Sequence, residues 1–321
     1  MELGVLIVTY NSGACVLECL QSCRTFGLFD SADVLVVDND SADDSVQNAR
    51  QGGARVIANA ANRGFAAAVN QGVRELGTPL VLLLNPDVTL ASSVEPLVTD
   101  LHASGAAAAG GKLLNPDGSV QRGFQVRRFP TTLSLAFEAL GINRLFPGNP
   151  VNQRYRCLDL DPDVAADVEQ PAGAFLLFRT AAWESAGGLD ENFFPLWFED
   201  VDFLKRLADE GHRIRYVPQA TAWHAGAHSL IRLKTDYRQL YWYGSLLTYL
   251  ARHFSAIGRV LVASAVVLGM VLRSVMGTFR QMSIRPLGIC AKVAWMAGNC
   301  VFNPKAFEEK RVLRAASPQA R

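Results

Sequence analysis

The chain has 321 residues, of which 50% are hydrophobic, and a formal net charge of +1. This length and composition allow a buried α/β core, and they exclude disordered and fibrous proteins. The charge is uneven, because residues 232–321 hold 14 Lys and Arg against 3 Asp and Glu, which leaves 17 against 27 for residues 1–231. We therefore predict a globular domain over residues 1–231 and a helical, basic region over residues 232–321.

Strand and helix patterns alternate over the N-terminal part of the chain. Short apolar runs rich in β-branched residues predict strands at residues 3–9, 34–37, 54–58 and 80–84. Helical patterns lie between them, and the clearest covers residues 65–76. This alternation predicts an α/β fold with a mixed, mainly parallel sheet flanked by helices.

The pattern becomes less regular after the fourth strand. A helix is predicted from about residue 92 to residue 102, and strands at residues 106–114 and 120–126 flank the turn Asn115-Pro116-Asp117-Gly118. Residues 148–167 are polar and poorly periodic, and they contain prolines. They therefore predict a long loop.

The last part of the globular domain contains three further elements. A strand is predicted at residues 172–178 and a short helix at residues 181–186, which Gly187-Gly188 would terminate. A helix from Val201 ends at Gly211, and residues 214–224 complete the domain.

The basic region contains an apolar run at residues 260–272, which Arg259 and Arg273 bracket. This run is too short to cross a hydrocarbon core of about 30 Å unaided. Basic and apolar residues then mix, as they do in segments that lie at a membrane interface: these are Arg280, Arg285, Lys292, Trp295 and Phe302. A membrane surface fits this region better than nucleic acid does, and packing on the domain or in a dimer is the alternative.

The six cysteines show no spacing typical of a metal site or a disulfide framework. Cys15, Cys19 and Cys23 recur on one helix face, where we interpret them as reduced packing residues. Met1 leads directly into a strand pattern, without the basic start and apolar stretch of a signal peptide. We therefore expect a cytoplasmic protein.

Polar residues follow three of the predicted strands, namely Tyr10-Asn11, Asp38-Asn39 and Asn85-Pro86-Asp87. Ligands of open parallel sheets bind outside the carboxyl ends of the strands. Asp38 can accept a hydrogen bond from a nucleotide base, or it can cap a helix that begins near Ser41. Asn62-Arg63-Gly64, which precedes a helix, can hold phosphate or form an ordinary turn.

Asp87 and the Asn85 amide offer oxygen ligands to a divalent cation such as Mn²⁺ or Mg²⁺, which would bind substrate phosphates. Asn-Pro-Asp is also an ordinary turn sequence. His224 can supply a further ligand, or it can be a buried structural histidine.

Glu199-Asp200 lie where an aromatic, apolar segment meets a predicted helix. Partial burial there would raise the pKa of a carboxyl group toward that of a useful general base, and the helix dipole would oppose this. Asp200 as a helix N-cap is the alternative.

The order and spacing of these residues resemble family 2 glycosyltransferases of the GT-A fold, a Rossmann-like α/β fold, and especially their rhamnosyltransferase-like branch. The resemblance extends from about Leu3 to Ser229. It rests on short elements along this range: Ile7-Val8-Thr9-Tyr10-Asn11, Val36-Val37-Asp38-Asn39-Asp40-Ser41, Asn62-Arg63-Gly64-Phe65 with Asn70 and Gly72, Leu82-Leu83-Leu84-Asn85-Pro86-Asp87, Gly173-Ala174, Gly187-Gly188-Leu189-Asp190-Glu191, Phe193-Phe194, Phe198-Glu199-Asp200-Val201-Asp202 with Arg206, His224 and Ser229.

The resemblance implies a role for each candidate residue. Asp87 matches the last residue of the family's Asp-x-Asp element and would bind the metal at the donor diphosphate, with His224. Asp200 would be the catalytic base, beside Glu199. Tyr10 and Asp38 would hold the nucleotide base, and the complete set of candidate donor-binding residues is Thr9, Tyr10, Asn11, Asp38, Asn39, Asn62, Arg63, Gly64, Asn85, Gly173 and Ala174.

The predicted activity is inverting transfer of a sugar to a glycan or lipid-linked acceptor, in cell-surface polysaccharide synthesis at the cytoplasmic face of the membrane. The branch suggests dTDP-rhamnose as donor, with UDP-sugars next. Two alternatives stay open. A sugar nucleotidyltransferase should have a glycine-rich basic phosphate loop, which Tyr10-Asn11-Ser12-Gly13 matches poorly. A non-catalytic nucleotide-sugar-binding protein would lose the base, whereas Glu199-Asp200 is intact.

Overall fold

The computed structural model describes residues 1–226 and 235–307, so that Ser229 lies outside the described part. Within this part the chain forms two compact units. Among the described residues, the first comprises Met1–Phe129, Arg156–Asp190 and residues 199–226, and the second comprises Pro130–Tyr155, Glu191–Phe198 and residues 235–307. The division into domains at residues 231 and 232 stays a prediction.

The strands all belong to the first unit. They are, in chain order, β1 (Leu3–Thr9), β2 (Ala32–Asp38), β3 (Arg55–Ala58), β4 (Leu80–Leu84), β5 (Val88–Leu90), β6 (Ala108–Leu114), β7 (Val126–Arg127), β8 (Ala166–Asp167), β9 (Gln170–Pro171), β10 (Phe175–Arg179) and β11 (Ile214–His224).

Helices occur in both units. They are α1 (Gly13–Thr25), α2 (Leu28–Ser31), α3 (Ser45–Gln51), α4 (Phe65–Leu76), α5 (Glu95–Ser104), α6 (Thr132–Leu140), α7 (Ile142–Leu145), α8 (Pro150–Tyr155), α9 (Thr180–Ser185), α10 (Glu199–Asp209), α11 (Thr235–His253), α12 (Ala256–Gln281) and α13 (Arg285–Phe302).

A nine-stranded mixed sheet forms the centre of the first unit, with the order β3-β2-β1-β4-β10-β6-β11-β5 and with β8 paired to β11. The strands β3, β2, β1 and β4 run parallel, and β10 runs antiparallel between β4 and β6. Both faces are covered, because β1 is buried throughout its length and hydrophobic clusters lie on either side. The predicted mixed, mainly parallel α/β sheet is confirmed.

The helices of the first unit cover this sheet. The buried cysteines of α1 are free thiols and belong to the cluster on one face, as predicted for packing residues. The helix α4 covers β1 and β2 on the other face. Thr9 and Asp38 lie opposite each other at the ends of their strands, and β4 ends at Leu84 opposite Ile7. The carboxyl ends of these strands therefore meet at one edge.

Helices make up the second unit. One face of α12 packs against α6 and α13, and α11 packs against α13. Leu250, Val266 and Val293 lie in the shared core. Among the residues that the structure describes, α12 alone is long and apolar enough over Ala256–Arg280 to cross a membrane, and 39% of its apolar 18-residue window is buried in the protein.

Three local predictions differ from the structure. Residues 121–125 form a turn after one bridge between Leu114 and Val120, and only Val126 lies in a strand, β7, where a strand was predicted over residues 120–126. Residues 148–167 contain α8 and β8, where a long loop was expected. The apolar run at residues 260–272, which was predicted to be too short to cross a membrane, lies within the longer helix α12, which includes Arg259 and Arg273.

Candidate active site

A buried hydrogen-bond network around Asp38 joins the carboxyl ends of β1 and β2. The Thr9 hydroxyl donates to Asp38 Oδ1 over 2.7 Å. The same oxygen accepts the Ser41 hydroxyl at 2.6 Å, and Oδ2 accepts the Ser41 backbone N–H at 2.9 Å. Asp38 therefore caps the turn after β2, since α3 begins only at Ser45. Its Oδ2 can accept a further donor.

Two asparagines connect the neighbouring turns to this network. The Asn11 backbone N–H donates to the Ser41 hydroxyl at 2.8 Å. Asn39 is buried, and its amide donates to the Gly64 carbonyl oxygen at 3.0 Å. Tyr10 is half-buried directly after β1. The candidate nucleotide-binding residues of the first two strands thus form one connected edge.

The turn Asn62-Arg63-Gly64 precedes α4 and contacts the same edge. The Asn62 side-chain oxygen accepts the Gly64 N–H at 2.9 Å. Gly64 has a φ of 86°, which glycine adopts without the steric cost that other residues would meet. The Arg63 backbone N–H lies 3.4 Å from Asn39 Oδ1, and its side chain is exposed. The guanidinium is therefore accessible to a ligand at the surface.

Asp87 and His224 are neighbours although they are far apart in the sequence. The antiparallel pairing of β5 with β11 sets His224 opposite Val88, and the Ala225 N–H donates to the Asp87 carbonyl oxygen at 3.1 Å. His224 Nε2 lies 3.6 Å from Asp87 Oδ1, and the two side chains are only 6% and 9% exposed. The structure thus brings the two predicted metal ligands together.

Burial decides the charge of His224. It lowers the pKa of the imidazole, although the nearby Asp87 carboxylate opposes the shift. The His224 ring also stacks on Phe124, with ring centroids 5.1 Å apart. A neutral imidazole beside a carboxylate is favoured at neutral pH.

Asp87 and His224 offer a donor set that fits a divalent cation, since carboxylate oxygen and neutral imidazole nitrogen are both ligands for Mn²⁺. Within residues 1–226 and 235–307, no group of three or more His, Cys, Asp or Glu could hold a metal ion. The protein would therefore supply part of the coordination, and substrate phosphates and water would complete it.

Asp200 lies in the first turn of α10, and backbone N–H groups hold both of its carboxylate oxygens. The Gly173 N–H donates to Oδ2 at 3.0 Å, and the Val201 N–H donates to Oδ1 at 2.9 Å. A Cβ atom at Gly173 would lie 2.9 Å from Asp200 Cβ and Oδ2, so only glycine leaves room for this contact. Because α10 begins at Glu199, Asp200 is not the N-cap that the sequence offered as an alternative.

The carboxyl groups of Glu199 and Asp200 both have raised pKa values. Burial raises the pKa of Asp200 above its ordinary 3.8, although the backbone N–H groups and Arg127 oppose the shift. Burial, followed by the charge of Asp200, raises the pKa of Glu199 well above 4.5. Glu199 Oε2 has no hydrogen-bond partner within the described part of the chain. Adjacent carboxyl groups with shifted pKa values are typical of acid–base sites.

The segment Gly173-Ala174 links the two halves of the candidate site. The Ala174 carbonyl oxygen accepts the Asn85 N–H at 2.9 Å, while the Gly173 N–H binds Asp200. The segment leads into β10, which pairs with β4. Both hydrogen bonds are made within the chain, so the donor-binding role of Gly173 and Ala174 stays a prediction.

Other polar residues of the resemblance stabilise the fold. The Asn70 amide donates to the Leu189 carbonyl oxygen at 2.8 Å, and its oxygen accepts the Leu189 N–H at 2.9 Å. Asp202 is fully buried and accepts Arg206 Nε at 2.8 Å, while the Arg206 guanidinium donates to the Gly188 carbonyl oxygen at 2.8 Å. These residues hold the chain before α10 in place.

Three residues near the candidate site were not predicted from the sequence, namely Gln121, Phe124 and Arg127. Gln121 bonds His224, Phe124 stacks on its ring, and the charge of Arg127 lowers the pKa of Asp200. All three lie in or next to the segment that was wrongly predicted as a strand. The one signal in the sequence that could have indicated these residues was their position after the Asn115-Pro116-Asp117-Gly118 turn.

Comparisons with known proteins show which family the chain belongs to. Residues 4–158 match the model of Glycosyl transferase family 2. The chain is 32% identical over 246 residues to the N-acetylglucosaminyl-diphospho-decaprenol L-rhamnosyltransferase of Mycobacterium tuberculosis. The aligned residues cover 71% of this chain and 77% of the relative.

Two solved structures are similar in fold. One is S. aureus TarS 1-349 in complex with UDP-GlcNAc, with a TM-score of 0.58, 14% identity, and coverage of 98% of this chain and 89% of that one. The other is the mannosyltransferase PcManGT from Pyrobaculum calidifontis in complex with GDP-Man and Mn²⁺, with a TM-score of 0.53, 15% identity, and coverage of 98% and 86%.

The sheet topology and the two structural neighbours show that the first unit has the GT-A fold. The chain belongs to glycosyltransferase family 2, and it is similar to the rhamnosyltransferase-like members of that family. The predicted fold, family and glycosyltransferase activity are confirmed. The glycosyltransferase activity is therefore favoured over the two alternatives, a sugar nucleotidyltransferase and a non-catalytic nucleotide-sugar-binding protein.

Proposed function

We propose that the protein transfers a sugar, with inversion, from a nucleoside diphosphate donor to a lipid-linked acceptor in polysaccharide synthesis. The half-buried Asp200 carboxylate, held by Gly173 beside the Asn85 turn, carries this proposal. dTDP-rhamnose is the first candidate donor and UDP-sugars are the next. The mycobacterial relative supports rhamnose as the transferred sugar and a lipid-linked acceptor, because its name describes transfer of L-rhamnose to N-acetylglucosaminyl-diphospho-decaprenol.

Asp200 acts as the general base. Its carboxylate takes the proton of an acceptor hydroxyl while that oxygen forms a bond to the anomeric carbon of the donor. The bond between the anomeric carbon and the diphosphate oxygen breaks, and the nucleoside diphosphate leaves with the electron pair. The raised pKa of Glu199 favours its protonated form, which reduces the negative charge beside the base.

Asp87 and His224 hold Mn²⁺ or Mg²⁺ in this proposal, with Asn85 on the same turn. The cation, when bound, neutralises charge that develops on the leaving diphosphate. The Mn²⁺ in the PcManGT complex supports a metal in a structure of this fold. The two side chains orient and anchor this end of the donor.

The edge formed by Thr9, Tyr10, Asn11, Asp38 and Asn39 binds the nucleoside in this proposal, since Asp38 Oδ2 retains acceptor capacity for a base N–H. The exposed Arg63 guanidinium approaches the phosphates, while Asn62 and Gly64 shape the turn that carries it. Donor recognition thus uses the ends of β1 and β2.

A screen of donors tests the function. We expect dTDP-rhamnose with Mn²⁺ to raise the melting temperature and to yield product with a polyprenyl-diphosphate-linked GlcNAc acceptor. The free energy of ligand binding adds to folding stability, by about 2.7 kcal/mol at 100 times Kd. UDP-GlcNAc, GDP-mannose and dTDP alone are the comparison ligands. Transfer from another nucleotide sugar would overturn the choice of rhamnose, and the absence of transfer from every donor would contradict the function.

The second unit supports a peripheral position at the cytoplasmic face of the membrane. One face of α12 is buried, whereas its other face exposes large apolar side chains at helical spacing: Ile257, Val260, Leu261, Leu268, Val271, Leu272, Val275, Met276 and Phe279. We name this set the α12 apolar face. Arg280, Arg285 and Lys292 follow along the chain and suit anionic lipid headgroups. Residues 232–321 would thus form the membrane-associating region and residues 1–231 the catalytic domain.

Charged substitutions on the α12 apolar face test membrane binding. We expect the double variant Leu268→Asp, Leu272→Asp to lower recovery with floating phosphatidylglycerol vesicles by about tenfold or more, because it removes two apolar side chains worth roughly 1.5–3 kcal/mol each when buried. Val164→Asp is the matched control, since Val164 is an exposed apolar residue of the first unit. Equal recovery of the double variant and the wild type would refute the membrane assignment.

A further inference from the structure

Gln121 makes two hydrogen bonds to the same residue, His224. Gln121 Nε2 donates to the His224 carbonyl oxygen over 2.7 Å, and Gln121 Oε1 lies 3.0 Å from His224 Nδ1. A carbonyl oxygen only accepts hydrogen bonds, so the first contact fixes which end of the Gln121 amide is the NH₂ group. The amide cannot flip without placing two acceptors against each other.

This amide orientation determines which ring nitrogen of His224 carries hydrogen. Because Oε1 only accepts, Nδ1 must be the N–H donor of the neutral imidazole. The lone pair then belongs to Nε2, which lies 3.6 Å from Asp87 Oδ1. Two acceptors, one nitrogen and one oxygen, therefore face each other as two ligands of one cation would.

The position of Gln121 itself is set by the chain that follows β6. Its backbone N–H donates to the Leu113 carbonyl oxygen at 2.9 Å, directly after the bridge between Leu114 and Val120. The Phe124 ring stacks on the His224 imidazole with an angle of 16° between the ring planes. Gln121 fixes the rotation of the His224 ring, while Phe124 covers one face of it.

We propose that Gln121 is a positioning residue of the metal site, which holds His224 with Nε2 directed at the cation and Nδ1 as the hydrogen-bond donor. This inference rests on the proposed role of Asp87 and His224 as metal ligands. Outer partners that orient a ligating histidine typically change metal affinity by about 10- to 100-fold when they are removed. Gln121 would therefore act through His224, without touching the substrate.

Metal affinity and the histidine tautomer together test the proposal. We expect Gln121→Ala to raise the Kd of Mn²⁺, measured by electron paramagnetic resonance in the presence of dTDP, by about 10- to 100-fold. In a His224→Ala background the same substitution should change the Kd no further, because the residue it orients is gone.

A control variant separates positioning from loop stability. Ser119→Ala weakens the same turn, where the Ser119 hydroxyl bonds Asp117 at 2.6 Å, and it should leave the Kd of Mn²⁺ unchanged. Long-range ¹H–¹⁵N spectra of histidine-labelled, metal-free protein should show hydrogen on Nδ1 of His224 in the wild type and a mixture of tautomers in Gln121→Ala. The His224 signal is assigned by its loss in His224→Ala.

The outcomes distinguish this inference from the proposed metal site. An unchanged Kd and an unchanged tautomer in Gln121→Ala would overturn the role of Gln121, and so would hydrogen on Nε2 in the wild type. If Asp87→Asn leaves Mn²⁺ binding unaffected, the metal site itself is wrong, and the metal-free tautomer spectra then decide whether Gln121 orients His224.

Discussion

Replacing Asp200 by asparagine should lower kcat by about 10²- to 10⁴-fold, the range expected for loss of a general base. Asparagine has the shape of the aspartate and can still accept a backbone N–H, but it cannot take a proton. The Kd of the donor should therefore change little. Transfer kinetics and donor calorimetry measure the two effects, and Asp209→Asn, an exposed position on the same helix, is the matched control.

The pH profile adds a second test of the same assignment. A base must be unprotonated to work, so kcat of the wild type should rise with pH through the pKa of Asp200. Burial raises that pKa above 3.8, so this acid limb should lie at higher pH than for an exposed aspartate. Asp200→Asn should lose the limb. Normal turnover in a folded Asp200→Asn protein that binds donor would sink the assignment.

Gly173→Ala should reproduce part of this loss by moving Asp200 while keeping it. The added methyl carbon would meet the Asp200 side chain at 2.9 Å, and a displacement of about 1 Å can cost about 10²-fold in rate. The acid limb of the pH profile should remain, because the carboxylate remains. Gly148→Ala, where an added methyl carbon meets nothing within 4 Å, serves as the control.

Asp87→Asn is expected to abolish the response to Mn²⁺ and to lower kcat/KM by about 10³-fold, since charge stabilisation by a cation is worth several kcal/mol. The sequence contains its own matched control, because Asn115-Pro116-Asp117 repeats the same tripeptide. Asp117 is fully exposed and bonds Ser119 within its turn. Asp117→Asn should therefore retain wild-type activity and metal response.

Chelation provides the corresponding experiment on the unaltered protein. EDTA should remove activity from the wild type, and added Mn²⁺ should restore it. Asp87→Asn should show low activity with and without EDTA. Full activity of the wild type after EDTA treatment and gel filtration would contradict Asp87 as a metal ligand.

Local sequence patterns predicted the regular elements of the sheet well. The strands β1 and β4 and the helix α4 have the predicted bounds, because an uninterrupted apolar run or an apolar helix face needs no knowledge of the partner element. The predicted strand at residues 120–126 was wrong over most of its length. The Gln121 side chain bonds His224 and its backbone N–H bonds the Leu113 carbonyl oxygen, so that only Val126 pairs in a strand, with Pro171. Apolar alternation alone could not show this.

The bounds of α12 show a second limit of local patterns. Arg259 and Arg273 bracket the apolar run in the sequence, and both lie within the helix. Arg273 is accommodated because its guanidinium donates to the Ala139 carbonyl oxygen at 2.7 Å, and Arg259 because it donates to the Phe254 carbonyl oxygen at 2.8 Å. A charge ends an apolar surface only where it finds no partner.

By itself, the sequence determined the alternation of strands and helices, the family and the list of candidate residues, since each depends on residues close together in the chain. Only the tertiary structure showed that Asp87 is buried beside His224, whereas Asp117 of the second Asn-Pro-Asp tripeptide is exposed. Asp87 faces His224 because β5 and β11 pair antiparallel, and Asp200 meets Gly173 because α10 begins beside the entry to β10. Contacts of this kind depend on strand register and chain topology, which bring distant residues together without leaving a local pattern in the sequence.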